Sequence, residues 1–501
     1  MDPIAEETST PAQMIATALS HHQSGRFTEA KRAYMQVLSA EPENFDALHL
    51  LGVLAHQSGK HDLAVELIEK AVAQNDRHAI AFNNLGEAYK GLKRLDQAER
   101  CYRRALDLNP DLAEVCSNLG NALKGLGRLE EAAELYRRAL AIKPEFTLAH
   151  FSLGHLLKDL GQLDDAQASF QAALALKPDF ADASKELATL QLLRGDYRQG
   201  LSFFEQSSAT GAGSPSATRR ECLRQLQGKE RWQGESLEGR RLLLVSEQGA
   251  GDNLMMMRYL PLLKERGPKG LIIWATPHLA RLFLSVGGLE VIPMTKPLAP
   301  ESFDLYCHMM SLPQLFQTSL ETIPAEVPYL GLPAQVKEQW RARLSEVHGA
   351  KVGLCWAAGK LSGTYTRRSI ELTRFLPLRD VADLQLVNLQ KGKEADQLQG
   401  LDWDVLDCLG ECQDFLDTAG LIEQLDLVIS VDTSVAHLAG ALGKPVWLLN
   451  SFESEWRWML ERNDTPWYPS MRIFRQKQRG AWDGVLSEVA EQLALFAALA
   501  A

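Results

Sequence analysis

The sequence lacks any run of about 18 consecutive apolar residues, so it predicts no transmembrane helix in the 501-residue chain. It also lacks a C-x-x-C pair, and its 7 cysteines are scattered and odd in number, which is typical of reduced thiols. The opening residues, MDPIAEETST, are acidic and polar, unlike the basic and apolar start of a secretory signal peptide. Together these features predict a cytoplasmic protein.

Basic charge is not in excess either. Lys and Arg number 53 against 64 Asp and Glu, which gives a net charge of −11. Because nucleic-acid binding depends on basic side chains that neutralise phosphates, we expect no nucleic-acid partner. What is present is an ordinary globular composition with 46% hydrophobic residues, which excludes a disordered chain.

A 34-residue period runs through the first two hundred residues. Small residues recur at this spacing in several series, and prolines share the register. The clearest series are Gly52, Gly86, Gly120, Gly154 and Ala188; Ala30, Ala64, Ala98, Ala132 and Ala166; and Pro42, Pro110, Pro144 and Pro178. Small residues let two antiparallel helices approach closely, and proline ends the second helix of each pair.

This pattern resembles the tetratricopeptide repeat (TPR), which has the same period. Five clear copies and a degenerate sixth begin near Gln13, Asp46, Ile80, Glu114, Leu148 and Asp182. The resemblance implies an all-α TPR superhelix over residues 11–210, with a concave inner face. Residues 1–10 are predicted to be a disordered N-terminus.

Asn84 and Asn118 occupy equivalent positions on the first helices of two repeats. In the TPR arrays of O-GlcNAc transferases, asparagine at this position lines the concave face and holds the backbone of a peptide. The resemblance therefore implies a peptide groove here and a protein or peptide as partner. The alternative is that both asparagines are solvated residues of a scaffold.

The character of the sequence changes after a linker, predicted at residues 211–238. Apolar strand-like runs now alternate with helical patterns, in two consecutive series. This alternation predicts two doubly wound parallel sheets, one in each of two lobes. The first lobe is placed at residues 239–335, and the second lobe, with a terminal helix, at residues 336–501. In such sheets ligands bind beyond the carboxyl ends of the strands, so we expect a cleft between the lobes.

The first strand of the first lobe runs into the sequence GAGD. Gly249 and Gly251 permit a tight turn and a close approach of a ligand to the backbone. Asp252 stands at or near the start of the next helix, either as a helix cap or as a general base on the cleft floor. With Asn253, the two glycines form the candidate cleft loop.

The fourth strand of the second lobe is followed by Asp432, Thr433 and Ser434, and His437 lies one turn into the next helix. Free backbone N–H groups and the two hydroxyls predict an anion site at this helix start. The alternatives are that Asp432 only caps the helix and that His437 is a satisfied core histidine.

Basic residues follow two neighbouring strands of the second lobe. Lys360, Arg367 and Arg368 come after the first strand, and Lys391 comes after the second. Since the carboxyl ends of adjacent parallel strands meet at one edge, these cations point to a phosphate-bearing ligand. Each of them alone is more typical of solvated surface.

Four ordered motifs over about residues 230–480 are similar to family 9 glycosyltransferases, the ADP-heptose:lipopolysaccharide heptosyltransferase type with a GT-B fold. The motifs are GAGD, VGLCWAA with its basic loop, LQKG, and DTSVAH. More closely, the chain looks like bacterial proteins in which TPR repeats precede such a domain, an architecture similar to that of O-GlcNAc transferases. The resulting fold class is an all-α TPR superhelix followed by an α/β GT-B-like pair of doubly wound Rossmann-type lobes.

The resemblance implies roles for the motif residues. Asp252 matches the aspartate proposed as base, and Lys360 or Arg367 matches the phosphate-binding cation. Residues matching the donor-phosphate loop are Asp432, Thr433, Ser434 and His437. The first motif departs from the family pattern by continuing with Asn253 and Leu254, which implies a different acceptor side.

The implied reaction is an inverting, metal-independent transfer of a sugar from a nucleotide-sugar donor, without a cofactor. The expected acceptor is a protein recruited by the TPR array. Two alternatives stay open: a glycosyltransferase that acts on a glycan or lipid while the repeats recruit a partner, and a non-catalytic TPR scaffold with a degenerate GT-B domain.

Overall fold

A computed structural model describes residues 10–209, 224–246, 249–359 and 368–500. Contacts divide the chain into two compact units, which we call the repeat unit (Met1–Glu186) and the α/β unit (Leu187–Ala501). Most of the predicted disordered N-terminus, the first half of the predicted linker and the candidate residues Lys360 and Arg367 lie outside the described residues. In the described part of the chain, no helix is long and apolar enough to span a membrane.

Antiparallel helix pairs make up the described chain from Pro11 to Ala209, which confirms the predicted all-helical repeats. The helices are α1 (Pro11–Gln23), α2 (Phe27–Ala40), α3 (Phe45–Gln57), α4 (His61–Gln74), α5 (Ala79–Gly91), α6 (Leu95–Leu108), α7 (Ala113–Gly125), α8 (Leu129–Ile142), α9 (Thr147–Asp159), α10 (Leu163–Leu176), α11 (Ala181–Leu193) and α12 (Tyr197–Ala209). The first helices of neighbouring repeats contact one another, so α3, α5, α7 and α9 form one continuous face.

The small residues of the 34-residue series lie where paired helices touch. In the pairs α3–α4, α5–α6, α7–α8 and α9–α10, a glycine of the first helix faces a large side chain of the second. A Cβ on Gly86 would lie 2.6 Å from the Tyr102 ring, and one on Gly120 would lie 2.9 Å from the Tyr136 ring. Because both tyrosines are fully buried, their rings have no room to withdraw. The glycine series therefore marks the positions at which large side chains of the second helix pack against the first helix.

Gly120→Ala is expected to lower the free energy of unfolding of the repeats by about 1–3 kcal/mol, because the added methyl group overpacks against Tyr136. Chemical denaturation followed by far-ultraviolet circular dichroism measures this change. The matched control is Glu134→Ala, at an exposed position of α8, for which a change within about 0.5 kcal/mol is expected. A Gly120→Ala variant as stable as the control would contradict the packing account.

Two parallel sheets form the α/β unit. The strands are β1 (Glu230–Arg231), β2 (Arg241–Val245), β3 (Gly270–Ala275), β4 (Glu290–Pro293), β5 (Leu305–His308), β6 (Ala350–Cys355), β7 (Leu384–Asn388), β8 (Val405–Leu406), β9 (Leu427–Val431), β10 (Val446–Asn450) and β11 (Met471–Arg475). The first lobe has the order β1-β5-β2-β3-β4, and the second lobe has the order β11-β10-β9-β6-β7-β8. Counted from β6, the second order is that of a doubly wound dinucleotide-binding sheet, and it reverses between β6 and β9.

Helices connect the strands of both lobes. They are α13 (Ala250–Met256), α14 (Leu260–Glu265), α15 (Pro277–Ser285), α16 (Leu312–Leu315), α17 (Ala334–Arg343), α18 (Phe415–Glu423), α19 (Ser434–Ala441) and α20 (Asp483–Ala500).

The predicted strands are all present, whereas β1 and β11 were not expected from the sequence. The lobe boundaries predicted at residues 239, 335 and 336 stay predictions.

The last repeat helix, α12, belongs to the α/β unit. Tyr197 on α12 is 1% exposed, and its hydroxyl accepts a hydrogen bond of 2.7 Å from the indole N–H of Trp467. The Arg231 guanidinium donates to Glu205 on the same helix at 2.7 Å. These contacts explain why the sixth repeat is degenerate, since its second helix carries residues that pack against the α/β unit.

Candidate functional site

A cavity of about 1100 Å³ opens between the carboxyl ends of the two sheets. The first lobe contributes residues 249–252 at the start of α13, and the second lobe contributes the residues that follow β6, β7 and β9. Since β6 and β9 are the strands between which the sheet order reverses, the cavity lies at the topological switch point. This is the edge of an α/β sheet at which ligands bind.

The N-terminus of α19 forms one wall of the cavity. Thr433 is the N-cap residue, and Thr433, Ser434 and Val435 all line the cavity. The Thr433 hydroxyl lies 3.0 Å from the Ser430 hydroxyl and 3.7 Å from the Cys355 thiol, which fix its position. The first N–H groups of a helix have no intrahelical acceptor, so this wall presents donors and the positive end of the helix dipole.

Two of the predicted cations lie in the same cavity. The Arg368 guanidinium donates to the Asp432 carboxylate at 2.9 Å, and the Asp432 side chain is only 8% exposed. The Lys391 ammonium donates to the backbone carbonyl of Cys412 at 2.9 Å. Asp432 therefore holds Arg368 at the end of β9, next to the start of α19.

The predicted base, Asp252, is the third residue of α13. Its Oδ2 accepts a hydrogen bond of 3.2 Å from the Gly249 N–H, as in a helix cap. Its Oδ1 accepts from the guanidinium of Arg457, which belongs to the second lobe. Asn253 is 1% exposed and donates to the Gly249 carbonyl at 3.0 Å. Asp252 thus caps its helix and also joins the two lobes through an ion pair.

Gly251 and His437 bring α13 and α19 together. A Cβ on Gly251 would lie 2.6 Å from Cδ2 of His437, so only glycine fits there. The Nδ1 atom of His437 lies 2.8 Å from the Tyr468 hydroxyl, and its ring packs 5.2 Å from Trp458. Burial lowers the pKa of His437 to about 3, so the imidazole is neutral at physiological pH. These contacts favour the interpretation of His437 as a satisfied core histidine.

Acid should destabilise the α/β unit through His437. The unfolded imidazole binds a proton below about pH 6.5, whereas the folded one does so only near pH 3. Its contribution is therefore complete above pH 6.5 and is lost as the pH falls, by about 2 kcal/mol between pH 6.5 and about pH 5.

Tryptophan fluorescence during urea unfolding measures this loss in the α/β unit alone, because all 10 tryptophans follow residue 231. His437→Gln is the control, and it should lose about 2 kcal/mol less than the wild-type chain over the same interval. Equal acid sensitivity of the two chains would contradict the assignment.

Sequence reasoning missed Glu455 and Arg457, which both line the cavity. The Arg457 side chain is 12% exposed, and its Nη1 lies 3.8 Å from the Glu455 carboxylate. Burial lowers the pKa of Arg457, but the carboxylates of Asp252 and Glu455 more than offset this effect, and its pKa stays above the ordinary value. The sequence feature that could have identified both residues is the pair of opposite charges within the aromatic-rich segment EWRWML.

The aromatic residues between positions 456 and 468 are buried packing residues. Trp458, Trp467 and Tyr468 are fully buried, and Trp456 is 6% exposed. These four aromatic side chains therefore pack in the interior of the α/β unit.

In the repeat unit, the two candidate asparagines lie on neighbouring first helices and are half-buried. The Asn84 amide lies 2.9 Å from Nε2 of His49, and the Asn118 amide donates to Asn83 at 3.0 Å. Burial and the nearby His78 lower the pKa of His49 to about 4. The result is a neutral polar row along α3, α5 and α7.

Among the residues that the structure describes, no group of three or more His, Cys, Asp or Glu side chains could hold a metal ion.

Family comparisons identify the repeats. Profiles described as tetratricopeptide repeat match residues 16–44, 43–111, 77–145, 123–171 and 151–215. Protein FlbA of Caulobacter vibrioides is 30% identical over 292 residues, which cover 54% of this chain and 48% of FlbA. The chain therefore spans about half the length of this relative.

Among solved structures, MamA is 30% identical, covers 33% of this chain and 96% of its own, and gives a TM-score of 0.31. The pilF protein of Pseudomonas aeruginosa is 22% identical, covers 41% of this chain and 93% of its own, and gives a TM-score of 0.38. The conclusion is that residues 16–215 carry tetratricopeptide repeats, whose usual role is protein–protein interaction.

Proposed function

We propose that the α/β unit is a glycosyltransferase of the GT-B type, which moves a sugar from a nucleotide-sugar donor to an acceptor hydroxyl. One observation carries the proposal: the N-terminus of α19, Arg368 and Arg457 all face the same cavity at the switch point of the sheet. Guanidinium groups and free N–H groups are the donors that a diphosphate requires.

The cations of this site are bonded to carboxylates, Arg368 to Asp432 and Arg457 to Asp252. A guanidinium has five N–H donors, and one carboxylate accepts at most two of them well. A bound diphosphate carries more negative charge than either carboxylate. Both arginines can therefore donate hydrogen bonds to the diphosphate as well as to their carboxylates. Thr433, Ser434 and Lys391 would add neutral and cationic donors beside it.

The chemistry follows from these positions. As the bond between the anomeric carbon and the diphosphate breaks, negative charge grows on the leaving oxygen. Arg368, Arg457 and the start of α19 would stabilise that charge, which is the largest contribution expected in such a site. A carboxylate of the cleft would accept the proton of the acceptor hydroxyl, and the resemblance assigns this role to Asp252. Attack from the opposite face inverts the anomeric centre.

The acceptor we propose is a protein that binds the face formed by α3, α5 and α7, where Asn84 and Asn118 lie. The repeats support a protein partner of some kind. The glycan or lipid enzyme and the non-catalytic scaffold are the alternatives. Transfer of a radioactive sugar in a cell extract separates a protein acceptor from a glycan or lipid acceptor. A labelled protein is sensitive to protease, and a labelled glycan or lipid is not.

The direct test is a donor screen with the full chain. UDP-, ADP- and GDP-glucose are incubated with the protein, and the release of nucleoside diphosphate is measured. We expect release from one nucleotide class above that of a heat-denatured control. The scaffold alternative predicts no release from any of the three donors.

A further inference from the structure

Glu455 is a carboxylate in the cavity wall that the reaction described above does not use. It directly precedes the short 3-10 turn of Trp456 to Trp458, which follows β10. Its side chain is 33% exposed and lines the cavity, so a bound molecule can reach the carboxylate. The neighbouring Trp456 and Trp458 are buried and fix the backbone on which it stands.

The two candidate carboxylates differ in how they are bonded. Asp252 is fully engaged, since one oxygen accepts from the Gly249 N–H and the other from Arg457. Among the described residues, the cation nearest to Glu455 is Arg457, at 3.8 Å, which is beyond hydrogen-bond distance. Within the described residues, nothing donates a hydrogen bond to its carboxylate. A carboxylate whose oxygens are not engaged in hydrogen bonds can accept a proton from a bound hydroxyl without first breaking an existing hydrogen bond.

The surroundings of Glu455 also favour the uptake of a proton by its carboxylate. Burial raises its pKa, and the carboxylates of Asp432 and Asp252 raise it as well, against the opposing effect of Arg457 and Arg368. A carboxylate whose pKa is raised toward neutrality is a better base at physiological pH. Two nearby carboxyl groups in such different environments are typical of a site in which they perform different tasks.

We propose that Glu455, and not Asp252, removes the proton from the attacking hydroxyl in this cleft, an assignment that rests on the proposed glycosyl transfer. The acceptor oxygen forms the new bond to the anomeric carbon while the carbon–oxygen bond to the diphosphate breaks. The electron pair leaves with the nucleoside diphosphate, and the proton moves to the Glu455 carboxylate. Asp252 acts as a positioning residue, because it holds Arg457 against the first lobe.

Glu455→Gln tests this assignment, with Asp252→Asn as the matched isosteric control. Water serves as the acceptor, and nucleoside diphosphate release is measured with UDP-, ADP- and GDP-glucose as donors. Because a general base contributes about 100-fold or more, we expect Glu455→Gln to reduce release by at least that factor. The nucleoside diphosphate of the active donor should raise the melting temperature of Glu455→Gln as much as that of the wild-type chain.

Two further readouts separate a base from a structural residue. The release rate of the wild-type chain should fall as the pH is lowered, and this acidic limb should be absent in Glu455→Gln. In Glu455→Ala, added formate should restore part of the rate, because it supplies the missing carboxylate.

The contrary results are distinct. A Glu455→Gln variant that keeps more than a third of the wild-type rate, while Asp252→Asn loses its rate, overturns the assignment and leaves the transferase standing. A wild-type chain that binds nucleoside diphosphate but releases none from any donor also contradicts the assignment. A wild-type chain that neither binds nor releases nucleoside diphosphate overturns the proposed function itself.

Discussion

Arg457→Ala is expected to reduce the affinity for a nucleoside diphosphate by about 100-fold, because a charge-assisted hydrogen bond to a phosphate is lost from a desolvated wall. It is also expected to lower the free energy of unfolding of the α/β unit by about 3–5 kcal/mol, since removal of one partner of a buried pair strands the other. The stranded group is Asp252, whose Oδ1 accepts a hydrogen bond from Arg457. Calorimetric titration measures the affinity, and tryptophan fluorescence during urea unfolding measures the stability.

Arg472→Ala is the matched control for this variant. Arg472 is 43% exposed on β11 and lies 3.6 Å from Glu488, so its loss should change stability by less than about 1 kcal/mol. The Arg472→Ala variant should bind the nucleotide with the same affinity as the wild-type chain. If the two arginine variants bound nucleotide equally well, Arg457 would have no part in the site.

Gly251→Val is expected to disrupt the contact between α13 and α19. The first added carbon already lies 2.6 Å from the His437 ring, and the buried ring has nowhere to move. The helix must shift, which moves Asp252 away from Arg457 and costs about 1–3 kcal/mol of stability. Nucleotide affinity should fall with it, because the two walls of the cavity separate.

Calorimetric titration and tryptophan fluorescence during urea unfolding also measure the affinity and the stability of Gly251→Val. Gly484→Ala is the control, because nothing lies within 4 Å of its added carbon and the residue stands in helix α20. This substitution should be neutral or slightly stabilising. The contact is further tested by the double variant Gly251→Val, His437→Ala, which should recover part of the lost stability since the ring has been removed. Additive losses would contradict a direct clash.

The repeats could be predicted from the sequence because each contact recurs at a fixed spacing. The glycine that faces Tyr136 is one member of a series, and the series is visible without any structure. The strands of both lobes were also predictable, since buried parallel strands are continuous apolar runs such as those that form β2 and β9. β1 is too short to show such a pattern, and β11 has no continuous apolar run because it contains Arg472 and Arg475.

The site could be predicted only in part. Asp432, Thr433 and Ser434 follow a strand that the sequence identifies, so their place at the cleft edge follows from topology. The pairing of Asp252 with Arg457 joins residues from two lobes, and a local pattern carries no information about it. His437 lines the cavity, and its ring also packs against Trp458 and Tyr468, contacts that a local pattern does not reveal. Its predicted role in donor binding stays a prediction.

The central claim is that the cleft of the α/β unit binds a nucleoside diphosphate, and a thermal melt of the full chain with UDP, ADP and GDP tests it most directly. A ligand present at about 100 times its dissociation constant adds about 2.7 kcal/mol to the stability of the folded state. The account predicts that one of the three nucleotides raises the melting temperature in the wild-type chain and not in Arg457→Ala. No shift with any of the three, or an equal shift in both chains, would contradict it.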